Sequence, residues 1–491
     1  MQRLLRVFTL PDLQTRLDPK VFHARTVWSG ERNNPLGSRL AFSGLCFYIG
    51  SHVLGVPLAA LGTSWAIWPT LSDVALAYFL LAVLIQRKTC NSSVPTPAQI
   101  TVFRGMAYLF AGCVVSFLVL VRWYPVLMSD KMVQAGHQAG GSVWGEFQIY
   151  RSAQCLLLFW LASRVPLSSR RRLILGLVAT ATLALIGTGI FLDFVGLVRP
   201  KVFYPSHLPK DGSAGPWLGY CGSSGGYGMG SIGYNHGHSS LLLFLLTALV
   251  LSVVPRRHWI IASLVPFWGL CTVGLTGCRA VFVAAVLWIL SQVRGTRSYL
   301  MVSLPAMALM LFLLLSTFSD PIRTFQAAWD RQSTLTTSLA EDGFDGRTEN
   351  WQIYLDFLQE VPERWVVGAG FGSYIEAGTG AHNLYLTIIA DLGLFGLAAF
   401  ALGISKLLHL LRKVEPQPMP LFWVTGCLLL SGFAQETFYP VPAFGHFLGL
   451  YVCTIAIVLS QQVRHHSFQR STQAMPHSEV IASREAGLFI H

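Results

Sequence analysis

Apolar runs long enough to cross a bilayer recur from one end of this 491-residue chain to the other, and no stretch of domain size lacks them. A helix needs about 20 apolar residues to span the hydrocarbon layer, where no backbone polar group can be left unpaired. The spacing of the runs predicts about twelve helices by that criterion. They fall at 40–61, 68–86, 103–121, 148–163, 173–197, 239–254, 259–277, 280–293, 299–318, 384–407, 420–437 and 442–462. Only 12% of the residues are charged against 53% hydrophobic, and the mean hydropathy is +0.52. The expected fold class is therefore all-α, a polytopic integral membrane protein, and a soluble multi-domain arrangement is excluded.

The net charge of +12 is no nucleic-acid footprint, because the basic residues sit mostly in short loops between apolar runs. With a cytoplasmic N-terminus, most of the 35 Lys and Arg fall inside, including Arg170-Arg171-Arg172, Arg256-Arg257 and Arg412-Lys413. The positive-inside rule supports that register, and an even number of spans returns the C-terminus to the same side. Residues 1–38 lack the apolar core of a cleavable signal peptide and read as a basic segment resting on the cytoplasmic leaflet. Residues 39–464 form the transmembrane domain. Residues 465–491 are polar and read as a cytoplasmic tail.

Three excursions on the opposite face are long: 122–147, 198–238 and 319–383. Long loops cost ordering entropy and commonly serve a site, so function is expected to face outward. The largest, 319–383, carries a short amphipathic pattern in which Arg347 lies one turn before Trp351, with Leu355 and Leu358 further along. Such a helix lies along a membrane surface, its guanidinium and N-terminus aimed at an anion; a snorkelling arginine is the plainer reading. Arg279, in GLTGCRAVFVAA, falls in a tight turn between two apolar runs. There it either faces a polar cavity, because burial toward lipid costs roughly 2.5–3.5 kcal/mol, or reaches back to water.

His382 opens the tenth span, with Asn383 as its cap, and Asp391 follows about two and a half turns deeper. Asp391 is an intramembrane carboxylate, which either serves the site or bonds to a neighbouring helix or arginine. Glu436 is the other carboxylate placed to hold a guanidinium. The run Asn235-His236-Gly237-His238 offers a histidine pair but no further ligand at a recognised spacing, so helix capping by Asn235 or Ser239 is preferred to metal binding. Gly368-x-Gly370-x-Gly372 reads as a flexible turn, and Gly393-x-x-Gly396 as a site of close helix packing. The nine cysteines lie mainly within apolar runs; only Cys221 and Cys278 reach the outer face, where a disulfide between them is conceivable.

GLTGCRA at 274–280, GRTENW at 346–351, VVGAGFGSY at 366–374 and AHNLYLTIIADLGLFGL at 381–397 together resemble the bacterial O-antigen ligase/polymerase superfamily. The resemblance covers about 240–450, and HN-x-x-L with GLFGL is its most specific element. It implies an inner-membrane enzyme with both termini cytoplasmic and its active face periplasmic. In that family an arginine after a Ser/Gly-rich turn, an arginine on the large periplasmic loop and a histidine at the loop's end serve the active site. Carried over, these are Arg279, Arg347 and His382; Asp391, Glu436, Asn235 and His236 are candidate supporting residues by their own positions. Gly277-Cys278 departs from the family, which often has serine before the arginine. The partners implied are an undecaprenyl-pyrophosphate-linked glycan as donor, a glycan or lipid A-core hydroxyl as acceptor, membrane lipids and other polysaccharide-assembly proteins.

The chemistry fits that implication. A diphosphate is already an acidic leaving group, so no general acid is needed, in contrast to the paired carboxylates of glycosidases. The site must supply cations for the diphosphate and a base for the acceptor hydroxyl. Two arginines meet the first need. An imidazole, whose ordinary pKa lies near ~6.5, meets the second, a role worth roughly 10²–10⁴ in rate. Asp342 and Asp345 are alternative bases. No metal or cofactor is required. A non-enzymatic flippase is the competing class, but it would place its charges along a path near the midplane.

Overall fold

The computed structural model describes residues 35–53, 70–89, 94–123, 142–194, 236–254, 268–276, 278–293, 347–372, 381–415, 419–434, 437–438 and 446–460. These residues are helical almost throughout. In chain order the helices are α1 (Pro35–Gly50), α2 (Leu71–Thr89), α3 (Pro97–Ser116), α4 (Ser142–Ala162), α5 (Ser169–Phe194) and α6 (His236–Val253). They continue with α7 (Arg279–Val293), α8 (Arg347–Glu360), α9 (Glu363–Val367), α10 (Leu384–Val414), α11 (Pro420–Ser431) and α12 (His446–Leu459). Helix accompanies every predicted span except 299–318, which lies outside the described residues.

Local chemistry sets several of the ends. Thr96 accepts the N–H of Gln99 while the Gln99 side chain accepts the N–H of Thr96, a reciprocal cap with Pro97 as first helical residue. Past its C-terminus α3 widens into π-helix over Phe117–Trp123. At the start of α11, the carboxylate of Glu415 accepts the N–H groups of Leu421 and Phe422 and the hydroxyl of Ser252. Burial raises the Glu415 carboxyl to about 7, with those donors pulling it down.

Leu241 through Leu251 on α6 are all buried, as befits a helix apolar on every side and enclosed by neighbours. It packs on α5, α7, α11 and α12. At the rim the pattern inverts. Leu81, Leu84 and Ile85 on α2, Tyr108 and Val115 on α3, and Phe395 and Leu402 on α10 are exposed large apolar residues. In water such a girdle would be costly; against lipid it is the expected boundary. Pro97–Val121, Ser169–Leu192 and Leu384–Val414 are long and apolar enough to cross a membrane, and four shorter apolar helices accompany them. The protein is a helical membrane protein.

One feature was invisible in the apolar pattern. Arg151 on α4 meets Asp73 on α2 at 2.6 Å, and the Gln154 amide donates to the same carboxylate oxygen at 2.8 Å. The other carboxylate oxygen accepts both the N–H and the hydroxyl of Thr70. The guanidinium also lies over the Phe147 ring at 4.8 Å. Paired and hydrogen-bonded in this way, two charges are held where an unpaired one would be strongly destabilising.

A cavity of about 290 Å³ opens among α3, α4, α10 and α12, with Met106, Phe110, Phe371, Leu392 and Phe400 among its predominantly apolar lining.

Candidate functional site

Three segment starts carry the basic residues singled out in the sequence. Arg279 is the first residue of α7, Arg347 the first of α8, and His382 stands two residues before α10. Contacts among their neighbours bring the starts of α8 and α10 together.

Cys278 caps α7. Its carbonyl accepts the N–H of Phe282 at 3.0 Å, the first bond of the helix. This is the position in which a serine or threonine cap commonly stands. The Ser240 hydroxyl meets the Thr276 hydroxyl at 2.6 Å, so the start of α6 is tied to the segment that leads into α7. Burial raises the Cys278 pKa; the Val281 N–H, the Arg347 charge, the Ser240 hydroxyl and the Ala280 N–H pull the other way. Cys278 is a free, buried cysteine, and Cys221, its candidate partner, lies outside the described residues.

Helix α8 is docked by Trp351, whose indole N–H donates to the Ala381 carbonyl at 2.9 Å. Its buried face is Tyr354 and Leu358, with Tyr354 packed against Ala381 and Ala390. The expected face of Trp351, Leu355 and Leu358 is thus rotated, with Tyr354 rather than Leu355 in the seam, because α8 packs on α10 and not on a flat surface. The docking puts Arg347, one turn before Trp351, beside the segment that holds His382. His382 is exposed and adopts a left-handed φ of 47°. Histidine enters that region more readily than most residues, yet the conformation is uncommon and is kept only by its surroundings. Those surroundings are explicit: the Asn383 side chain accepts the N–H groups of Tyr385 and Leu386, and the Leu384 N–H donates to Gly432. Asn383 is the cap read from the sequence.

Asp391 is fully buried, and its carboxylate accepts the N–H of Gly372 at 3.0 Å. Its carbonyl accepts the N–H of Gly370, and that of Ala390 accepts Ala369. The glycine run is therefore a clamped turn, not a flexible one. Gly368, Gly370 and Gly372 have φ of 74°, 111° and 85°, which side-chain-bearing residues rarely adopt. Asp391 anchors this turn. Gly393 does allow close packing, of Val366 against a break in α10.

Arg364, not singled out in the sequence, is buried against Phe357 at 4.0 Å and bonded to the Phe357 carbonyl and to Glu360. It joins α8 to α9 and is structural. Its signal was present as an i,i+4 pair with Glu360. Asn235, Glu436, Asp342, Asp345 and Cys221 lie outside the described residues, as do the side chains of His236 and His238. His236 is the first residue of α6; the capping expected of Asn235 falls outside with that residue, and Ser239 is buried in the first turn.

The arrangement offers two arginines at helix N-termini, where backbone N–H groups and the helix dipole favour an anion, and an exposed imidazole beyond them. Residues 264–401 match a family model described as O-Antigen ligase. No curated protein matches the chain.

Proposed function

With residues 264–401 identified as an O-antigen ligase domain, which puts this membrane protein in the O-antigen ligase/polymerase superfamily of glycan-transferring enzymes, we propose the following reaction. The protein transfers or polymerises a surface glycan, O-antigen or exopolysaccharide, at the periplasmic face of the bacterial inner membrane. The donor is a glycan on undecaprenyl pyrophosphate; the acceptor is a hydroxyl of another lipid-linked glycan or of lipid A core. The frame is about twelve spans with both termini cytoplasmic.

Arg279 and Arg347 grip the diphosphate, aided by the N-termini of α7 and α8. His382 takes the proton of the acceptor hydroxyl as its oxygen bonds to the anomeric carbon. The bond from that carbon to the diphosphate oxygen breaks, and the diphosphate leaves with the electron pair. No metal enters this scheme, since the leaving group needs no further acidification. The apolar cavity among α3, α4, α10 and α12 offers a place for the hydrocarbon part of a lipid-linked substrate.

The observation that carries the reading is the docking of α8 beside His382: Trp351, one turn after Arg347, donates to the Ala381 carbonyl next to His382, in a domain that matches the O-Antigen ligase model. Transfer and donor binding by purified protein with a polyprenyl-diphosphate glycan test it. Arg347→Ala should weaken donor binding. His382→Ala should leave binding nearly intact and lower turnover by about 10²–10⁴. Full transfer by Arg347→Ala at limiting donor sinks the anion site, and an active His382→Ala enzyme moves the base to Asp342 or Asp345.

A further inference from the structure

Charge is sorted by end in the first helices of the bundle. Among the described residues of α1, α2, α4 and α5, the acids are Asp73, Glu146 and Asp193, near the starts of α2 and α4 and the end of α5. Apart from Arg151, which pairs with Asp73, the basic residues gather at the other ends. Arg39 stands near the start of α1, Arg87 and Lys88 close α2, Arg164 follows α4, and Arg170-Arg171-Arg172 open α5. Side-chain contacts tie these ends into one patch. Arg87 and Arg164 lie over the same Trp160 ring, at 5.4 and 5.3 Å from its centre. Arg171 lies over Phe42 at 5.4 Å, and its Nη1 donates to the Ser38 hydroxyl at 2.8 Å and to the Pro166 carbonyl at 2.9 Å. Pro166 is two residues past Arg164, which joins the two stacked groups. Helix α4 begins against Gly372 of the glycine turn and ends here, so the patch lies at the end of the bundle away from the candidate site.

We propose that this patch binds the phosphate headgroup of an anionic phospholipid, in the leaflet opposite the candidate site. A topological role needs only positive charge on one side of the membrane, in any arrangement. Here the guanidiniums are held in place. Stacking on an aromatic face leaves the edge N–H groups of a guanidinium to make paired bonds to phosphate oxygens. Two such cations against one indole repel each other, and a phosphate between them offsets that repulsion. The approach to the patch suits a lipid as well. Leu81, Leu84 and Ile85, exposed large apolar residues of α2, lead up to Arg87 and Lys88. An apolar strip that ends in cations matches an acyl chain that ends in a phosphate, and basic pockets between membrane helices take such headgroups. The inference stands apart from the transfer reaction.

Purified full-length protein in detergent is titrated with phosphatidylglycerol or cardiolipin, with phosphatidylcholine and inorganic phosphate as comparisons, and bound lipid is counted by native mass spectrometry. Wild type should hold the anionic lipids about tenfold or more tighter than phosphatidylcholine. Arg87→Gln with Arg164→Gln should weaken the anionic lipids by about tenfold and leave phosphatidylcholine unchanged. Arg412→Gln with Lys413→Gln removes the same charge from the end of α10 and should have little effect. Equal losses in the two double variants reduce the patch to net charge and overturn the inference, as does a wild type that holds both kinds of lipid equally. Inorganic phosphate bound as tightly as the lipids overturns it too, because the acyl chain would then contribute nothing. If the glutamine pair fails to fold, Arg87→Lys with Arg164→Lys decides. That pair keeps the charge and loses the planar forks, so anionic-lipid affinity should fall by several fold; wild-type affinity overturns the proposal.

Discussion

A methyl group at Gly393 should separate the two pieces of chain that set the depth of the candidate site. Helix α10 breaks there at φ 66°, ψ −171°, a region essentially confined to glycine. An added Cβ would come closer than 3.0 Å to the Val366 carbonyl and the Val367 nitrogen, both backbone atoms that cannot swing aside. Backbone strain costs about 1–3 kcal/mol and overpacking about another 1–3, so Gly393→Ala should lose about 2–6 kcal/mol. The α10 side of the contact is reciprocated at Gly368, φ 74°, whose Cβ would strike the backbone of Asp391 and Leu392. Gly368→Ala should cost a similar amount, and the pair together less than the sum, since either one opens the same seam. Gly112 is the control: it lies in α3 with nothing within 4 Å of its absent Cβ, so Gly112→Ala should be neutral or stabilise by up to about 1 kcal/mol. The assay is thermal unfolding of detergent-purified protein, followed by monodispersity after heating. A Gly393→Ala protein that melts with wild type, or no lower than Gly112→Ala, refutes the argument from close approach.

Breaking the α2–α4 ion pair from one side, with Arg151→Met, leaves the part-buried Asp73 carboxylate with Gln154 and Thr70 but no countercharge and should cost up to about 3–5 kcal/mol; combining it with Asp73→Asn should recover much of that in the same melting assay. Glu415 predicts a pH dependence whose sign follows from a raised folded-state pKa. Between its ordinary value of 4.5 and about 7 the folded protein holds a proton that the unfolded chain has lost, so this group's contribution declines as pH rises through that window. Its span is on the order of 3 kcal/mol. Glu415→Gln should flatten that decline, and an unchanged slope in melting temperature between pH 5 and 8 counts against it.

The helices were legible because their signals are local: apolar runs, and an asparagine before Leu384. Arg279, Arg347 and His382 were legible as basic residues at apolar boundaries. The contacts around them were not. The Ser240–Thr276 contact spans 36 residues and the Trp351–Ala381 bond 30, and neither has any periodicity to betray it. The Asp73–Arg151 pair spans 78. Asp391 read, from its depth in an apolar run, as either a site carboxylate or one bonded to a neighbouring element, and depth alone could not name the Gly372 N–H it meets. The glycine turn misled for the same reason: freedom in a sequence becomes constraint once another strand of chain bonds to it.

The Asp73–Arg151 pair also bears on how the chain enters its membrane. In the proposed arrangement, α2 and α4 are synthesised one after the other with α3 between them, Asp73 in the first turn of α2 and Arg151 midway along α4. A lone arginine deep in a span adds roughly 2.5–3.5 kcal/mol to insertion. Helix α4 therefore meets the bilayer as a marginal segment until its arginine finds Asp73 on the α2 already made. The first four helices would then settle as a unit rather than singly, and the lipid-facing α3 would be enclosed in that unit by timing as much as by packing. A charge pair that contributes modestly to the finished fold thus writes an order of events into its assembly.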